Sequence, residues 1–248
     1  TTWLGSGKMA DTPIKDCSFQ ECVQEYEQLA AIRAEYAEAD PGDRRKAADW
    51  HYHESLATQA FDRALVSAGR EPFTDSPWPE GVVALAIDPL YAPALLTVGS
   101  IEYQLGRHEE GFELLMRLTT LPADEPDLHI IIDKAGDGML DEGDVTSALE
   151  LYKAASTRFP DVALHHIGLS FCHGKLGNHA EAVAHARRAD ELEPDNPSHL
   201  NDLGWCLFEA GRLDDAEQTL RRAIALSSED YDLPRNNLKA VLDEKAGN

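Results

Sequence analysis

The amino-acid sequence predicts an all-α protein built as an α-solenoid, a stack of helical hairpins. Three observations carry this expectation. The 248 residues exceed the usual size of one domain, so two globular cores or one elongated array are expected. Hydrophobic residues make up 43% of the chain in Ala-rich helical runs, and strand-like alternation of β-branched residues is nearly absent. Finally, three columns of small residues recur every 34 positions: Gly143, Gly177 and Gly211; Ala148, Ala182 and Ala216; Ala155, Ala189 and Ala223. A fixed period of this size marks a repeat architecture.

Each column has a physical task. A glycine ends the first helix of a hairpin at a tight or left-handed turn, and the alanines let the second helix approach its neighbours closely. The remaining gaps are filled by Leu203, Leu207 and Leu220 in the last unit and by Ala135, Met139 and Tyr152 at matching places of the first of the three. Pro160 and Pro194 close the second helices. The pattern, with NDLGWCLFEAGRLDDAEQTLRRAIAL from Asn201 as its clearest copy, resembles the tetratricopeptide repeat, a helix-turn-helix unit. A further unit starts at Ala92, where VGSIEYQLGRHEEGFELL supplies Gly99, Gly106, Phe112 and Leu115. There Gly111 replaces the usual alanine, and three extra residues precede the next unit. The resemblance covers about residues 92–230. It implies a right-handed solenoid whose concave face, formed by the first helix of each unit, takes extended or helical peptide segments.

In chain order, residues 1–13 are expected to be flexible. GSGK lacks the leading glycine and trailing Ser or Thr of a phosphate loop, and Thr1–Lys8 is read as an appended leader before a native start at Met9. Residues 14–68 are expected to form a helical hairpin stacked on the array. Phe19, Cys22, Val23, Tyr26, Leu29, Arg33 and Tyr36 share one helical stripe. DPGD, Asp40 to Asp43, then breaks the chain, and a second helix from about Arg44 to Ala68 carries Trp50, Ala57, Phe61 and Ala64 on one side. Residues 69–91 hold GREPFTDSPWPEG, a Pro/Gly loop leading to a short helix with Asp75 or Ser76 as its cap. About four repeats fill residues 92–230. Residues 231–248 are expected as a capping helix and tail, with Leu238, Val241 and Leu242 opposite Arg235, Asn236 and Lys239.

One stretch, IIIDKAGDGMLDEGDVTSALELY over residues 130–152, admits a second reading. Asp133 to Asp144 spaces acids regularly around a glycine, as an EF-hand calcium loop does. Such a loop needs about six to eight oxygen ligands, ending in a bidentate glutamate. Ala135 offers no side-chain oxygen and Asp144 is a methylene shorter than glutamate. The repeat is the expected form, with a calcium-responsive regulator as the alternative. Gly136 and Gly138 within a helix would each cost about 1 kcal/mol relative to alanine, so this unit is expected to be the least rigid.

The resemblance places groove-facing positions at Leu96, Ser100, Tyr103 and Gln104, at Asp133, Lys134, Asp137 and Asp141, and at Asn201, Asp202, Trp205 and Glu209. In the unit from about Val162, LHHIGLSFCHGKLG fits best if two residues near His173 and Gly174 are extra. That register buries Leu164, Ile167, Gly168 and Phe171 and turns His165, His166, Leu169, Cys172 and His173 to the groove. Counting back from Gly177 instead turns Phe171 and Lys175 toward it. Of these residues, Tyr103, the three aspartates, the three histidines, Asn201, Asp202, Trp205 and Glu209 are expected to contact peptide. Asn201 would hold the peptide backbone, Trp205 would stack on an arginine, and the acids would pair with Lys or Arg. Relatives that grip C-terminal carboxylates use lysines and asparagines. Asp133 and Asp137 stand where those cations are wanted, so an acidic chaperone tail is not the expected ligand.

Lys and Arg number 22 against 45 Asp and Glu, a formal charge of -23. Such a field repels phosphate backbones and anionic membrane surfaces, so the expected partner is a protein or peptide with a basic segment, not nucleic acid or membrane. No apolar run reaches the length of a membrane span. Four cysteines are too few to staple a chain of this size, and reduced thiols in a cytoplasm are expected. No cofactor is expected. His51 and His53 diverge on a helix, and His165, His166 and His173 lack a fourth zinc ligand. Cys172 has several histidines nearby but no oxyanion-type loop, so a cysteine-dependent enzyme is the lesser alternative. The expected function is a non-enzymatic interaction scaffold or adaptor.

Overall fold

The structure is a computed structural model that describes Tyr36, residues 39–49, Tyr52, and residues 80–104, 106–228 and 231–247. The chain divides into two compact units, Thr1–Leu121 and Pro122–Asn248, and all regular structure among the described residues is helical.

In the first unit residues 41–49 are helical, followed by α1 (Glu80–Ile87), α2 (Ala92–Gln104), α3 (His108–Met116) and a 3-10 turn over Arg117–Thr120. DPGD starts a helix: the Asp40 carboxylate accepts from the Gly42 N–H at 2.8 Å, and Pro41 sits in the first turn, where no donor is needed. The helix therefore begins three residues before Arg44. Ala48, Ala84, Ile87, Tyr91 and Ala94 form a buried cluster. Arg45 pairs with Asp88 at 2.7 Å, and the Tyr91 hydroxyl donates to Asp49 at 2.6 Å. The rest of the expected hairpin over residues 14–68, and the loop with Asp75 and Ser76, lie outside the described residues.

The second unit holds three hairpins and a last helix: α4 (Leu128–Asp141) with α5 (Val145–Arg158), α6 (Ala163–Lys175) with α7 (His179–Leu192), α8 (Pro197–Glu209) with α9 (Leu213–Leu226), then α10 (Leu233–Gly247). Each hairpin turns on a left-handed glycine: Gly143 at φ 83°, Gly177 at 75° and Gly211 at 72°, as does Gly106 at 76° in the first unit. The residue after each glycine donates its N–H back into the helix at 2.9 Å, Asp144 to Met139 O, Asn178 to His173 O, Arg212 to Leu207 O and Arg107 to Glu102 O. This Schellman arrangement satisfies carbonyls that a helix end otherwise leaves orphaned, at a φ that a Cβ disfavours.

The six alanines of the other two columns are fully buried. Packing is closer still where Gly136 meets Tyr152 and Gly204 meets Leu220: an added Cβ would lie 2.3 Å from the tyrosine ring and 2.5 Å from the leucine. The same ring would be 2.4 Å from a Cβ at Gly168, so Tyr152 fills the space between α4 and α6. The propensity cost of Gly136 is thus offset by burial of a tyrosine. In the first unit Gly111 is explained alike, since a Cβ there would lie 2.7 Å from the Gly99 carbonyl oxygen.

Residues 133–141 belong to the unbroken helix α4, and the Asp144 carboxylate caps α5 by accepting from the Ser147 N–H at 3.0 Å. The twelve residues form no loop, which overturns the calcium-loop alternative. At the far end, Val241 is fully buried and Leu238 packs with it against Leu203, Leu207 and Leu220. Lys245 fastens α10 to α9 through Asp214 and Glu217. No helix among the described residues is long and apolar enough to cross a membrane.

Candidate functional site: an acidic groove ending in a cavity

Within the second unit the first helices α4, α6 and α8 bring residues 34 positions apart into register: Asp133, Ile167 and Asn201; Asp137, Phe171 and Trp205; Asp141, Lys175 and Glu209. A cavity of about 360 Å³ opens between α6, α8 and α10. Ile167, Phe171 and Lys175 line it from α6, Asn201, Asp202, Trp205 and Glu209 from α8, and Leu233 and Asn237 from α10.

Its apolar faces are unusually open. Phe171 is 47% and Trp205 37% exposed. Lys175 Nζ lies 5.1 Å from the centre of the Phe171 ring, and Trp205 tilts against Phe208 at 5.2 Å. The polar side is ordered by a relay. Asn237 donates to Asn201 Oδ1 at 2.9 Å, and Asn201 donates to Asp202 Oδ1 at 3.2 Å. Asn201 is buried with its carboxamide committed to these neighbours, so it orients Asp202 and does not reach out as a backbone clamp. Burial pushes the Asp202 carboxyl up to about 6, opposed by the hydrogen bond from Asn201.

On α4, burial and then the charge of Asp137 raise Asp133 to about 6, against a hydrogen bond from Tyr152 at 3.2 Å. Asp137 is raised by burial and by Asp141. Asp133 is thus part-buried while Asp137 and Asp141 stand exposed, and the mutual repulsion felt at Asp133 and Asp137 is one that a cation relieves. None of Asp133, Asp137, Asp141, Asp202 and Glu209 forms an ion pair with a described residue.

The histidines lie elsewhere. His165 is fully buried and shares a hydrogen bond with His129 at 3.1 Å. His166 and His173 stack on His185 of α7, with ring centres 5.5 and 5.4 Å apart, and do not line the cavity. Leu169 and Cys172 are buried as well. The expected two-residue insertion is absent: α6 runs unbroken to Lys175, and the register counted back from Gly177 holds. Keeping the hairpin geometry intact places a histidine inside and a phenylalanine outside, which apolar counting alone would reverse. Burial holds His165 neutral, with a pKa pushed down to about 4.

Tyr103 also departs from expectation. It is 2% exposed and packs against His108 at 4.6 Å, filling the α2–α3 hairpin of the first unit. The Gln104 side chain lies outside the described residues. Sequence reasoning missed Ile167, Leu233 and Asn237 and placed Phe171 in the core. The available signal was that Phe171 stands 34 residues before Trp205.

Burial pushes the Cys172 thiol up to about 11 and Cys206 to about 12, the opposite of an activated thiolate, which overturns the catalytic-cysteine alternative. Among the described residues no three His, Cys, Asp or Glu side chains gather to hold a metal.

Fold and groove define a helical-repeat protein with an open, side-chain-sized cavity. Residues 134–197 and 175–230 match tetratricopeptide-repeat family models, and this part of the chain is built of tetratricopeptide repeats. Over 92 residues it is 34% identical to the protein SGT1 homolog of Bos taurus, covering 37% of this chain and 27% of that protein. The chain therefore spans about a quarter of that relative's length. The fold is similar to the crystal structure of MamA, with a TM-score of 0.51 and 15% identity over 75% of this chain and 92% of that one. The first TPR of Spaghetti (RPAP3) bound to the HSP90 peptide SRMEEVD gives a TM-score of 0.44 at 16% identity, covering 48% and 93%.

Proposed function

We propose that the second unit is a non-enzymatic scaffold that holds a basic peptide or protein segment along α4, α6 and α8. The row of Asp133, Asp137 and Asp141, crowded and without cationic partners among the described residues, is the observation that carries this reading. Asp202 and Glu209 extend the acidic face past Phe171 and Trp205. A chain with a net charge of -23 would steer cationic segments toward that face. The hairpin α2–α3, with its Gly106 turn, supports counting a fourth repeat within residues 92–230. Free thiols at Cys172 and Cys206 fit a reducing cytoplasm.

The test is calorimetric titration of the full chain with a hexalysine peptide and with SRMEEVD, a probe of opposite charge. Hexalysine should bind, and more weakly as salt rises, because exposed charge pairs are screened within about 10 Å at 0.1 M. Asp137→Lys combined with Asp202→Asn should weaken it by about 1–3 kcal/mol. Tighter binding of SRMEEVD than of hexalysine would sink the proposal.

A further inference from the structure

We infer that the cavity between α6, α8 and α10 reads a single arginine side chain. Phe171 and Trp205 offer ring faces to its guanidinium, Asp202 and Glu209 accept its N–H groups, and Leu233 and Asn237 of the last helix close the wall. The inference rests on the proposed binding of a basic segment and names the residue that segment must carry.

Size sets the first limit. About 360 Å³ is near the bottom of the range of roughly 300–1,000 Å³ that holds small ligands, which suits one long side chain. Chemistry sets the second. An uncharged aromatic or aliphatic side chain would cover the Asp202 carboxylate without compensating its charge. A lysine ammonium would answer the charge, but it is a compact, strongly hydrated point charge. A guanidinium is planar, more weakly hydrated and stacks on ring faces while its edge forks to carboxylates.

The site already shows this affinity in miniature. Lys175 lies over the Phe171 ring, so that face accepts a cation from within the chain. An incoming arginine competes with Lys175 for Phe171 and is repelled by it. The Asn237–Asn201–Asp202 relay fixes Asp202 Oδ1, while the other oxygen has no hydrogen-bond partner among the described residues. The last helix thereby serves the site as well as covering the end of the stack.

Hexa-arginine and hexalysine peptides, equal in length and charge, are titrated into the full chain at pH 7.5 with thermal melts run in parallel. Hexa-arginine should bind about five- to tenfold tighter. Phe171→Ala and Asp202→Asn should each bring the two peptides near parity, and Lys175→Ala should tighten hexa-arginine binding. Equal binding of both peptides by the unaltered chain overturns the subsite and leaves the basic groove standing. Binding of neither removes the groove and the subsite together. A preference that survives both substitutions places discrimination elsewhere and overturns the subsite. If Asp202→Asn lowers the melting temperature sharply, Phe171→Ala decides alone, since that ring is half exposed.

Discussion

Asn237 donates its side-chain N–H to Asn201 Oδ1 across 2.9 Å and so ties the last helix to the residue that orients Asp202. Asn201 is 2% exposed, and loss of Asn237 would leave its carbonyl oxygen without this partner. Asn237→Ala should therefore cost about 1–3 kcal/mol in urea unfolding, with helix content unchanged. Lys245→Ala, which removes the ion pairs to the exposed Asp214 and the part-buried Glu217 at the other end of α10, should cost less. Equal losses would mean that the helix is held by charge at its end and not by the relay.

Tyr152 packs against Gly136 on one side and Gly168 on the other, and this contact makes a second expectation. Gly168→Ala puts a methyl group within the ring and should destabilise by about 1–3 kcal/mol. Tyr152→Leu frees that space while leaving Gly136 underpacked. The double variant should be more stable than the sum of the two losses implies, because the residues share one contact. Strict additivity in denaturant titrations would show that α4 and α6 have moved apart and the pair no longer touches.

The hairpins were legible because their constraints are local and repeat. A left-handed glycine and two fully buried alanines tolerate few substitutes, so Gly143, Gly177, Gly211 and the alanine columns print a 34-residue period on the chain. The acidic face of α4 and the Asn201–Glu209 set followed from the same count. Phe171 does not, because polarity and period disagree there: His165, His166 and His173 are more polar than the packing positions that the period assigns them. Paired with His129 or stacked on His185, neutral imidazoles fill such positions well. Asn237 and Leu233 were illegible for another reason. They lie beyond the last repeat, where no column predicts which face of a terminal helix meets the groove.

Acid should destabilise the second unit through its histidines. His165 is neutral in the fold, its pKa lowered from 6.5 to about 4 by burial and then by the charges of His129 and His166. Burial also lowers His129, His173 and His185. The unfolded chain therefore takes up protons first, so this stability is full above about 6.5 and is lost as pH falls toward 4. For His165 the loss between pH 6.5 and 5 is about 2 kcal/mol. Asp133 and Asp202, raised to about 6, oppose it between about pH 4 and 6, so the net fall is shallower. In thermal melts His165→Leu should reduce the drop from pH 7.5 to 5. An unchanged drop would exclude His165 as its source.

Binding should lose strength over the same acid range, for a different reason. Burial raises the Asp202 carboxyl to about 6 in the free protein, against the hydrogen bond from Asn201, and Lys175 of α6, Cys206 and Glu209 of α8 and Asn237 of α10 also line the cavity. A bound guanidinium favours the charged carboxylate and lowers its pKa, whereas arginine keeps its proton throughout. Below about pH 6 the free site must therefore release a proton to bind, and affinity for hexa-arginine should fall by up to about tenfold per pH unit. Asp133, also near 6, adds to the fall, so Asp202→Asn should flatten the profile without abolishing it. Calorimetric titrations at pH 7.5, 6.5 and 5.5 give the profile directly. An affinity that stays constant across them would show that the bound cation touches neither carboxylate.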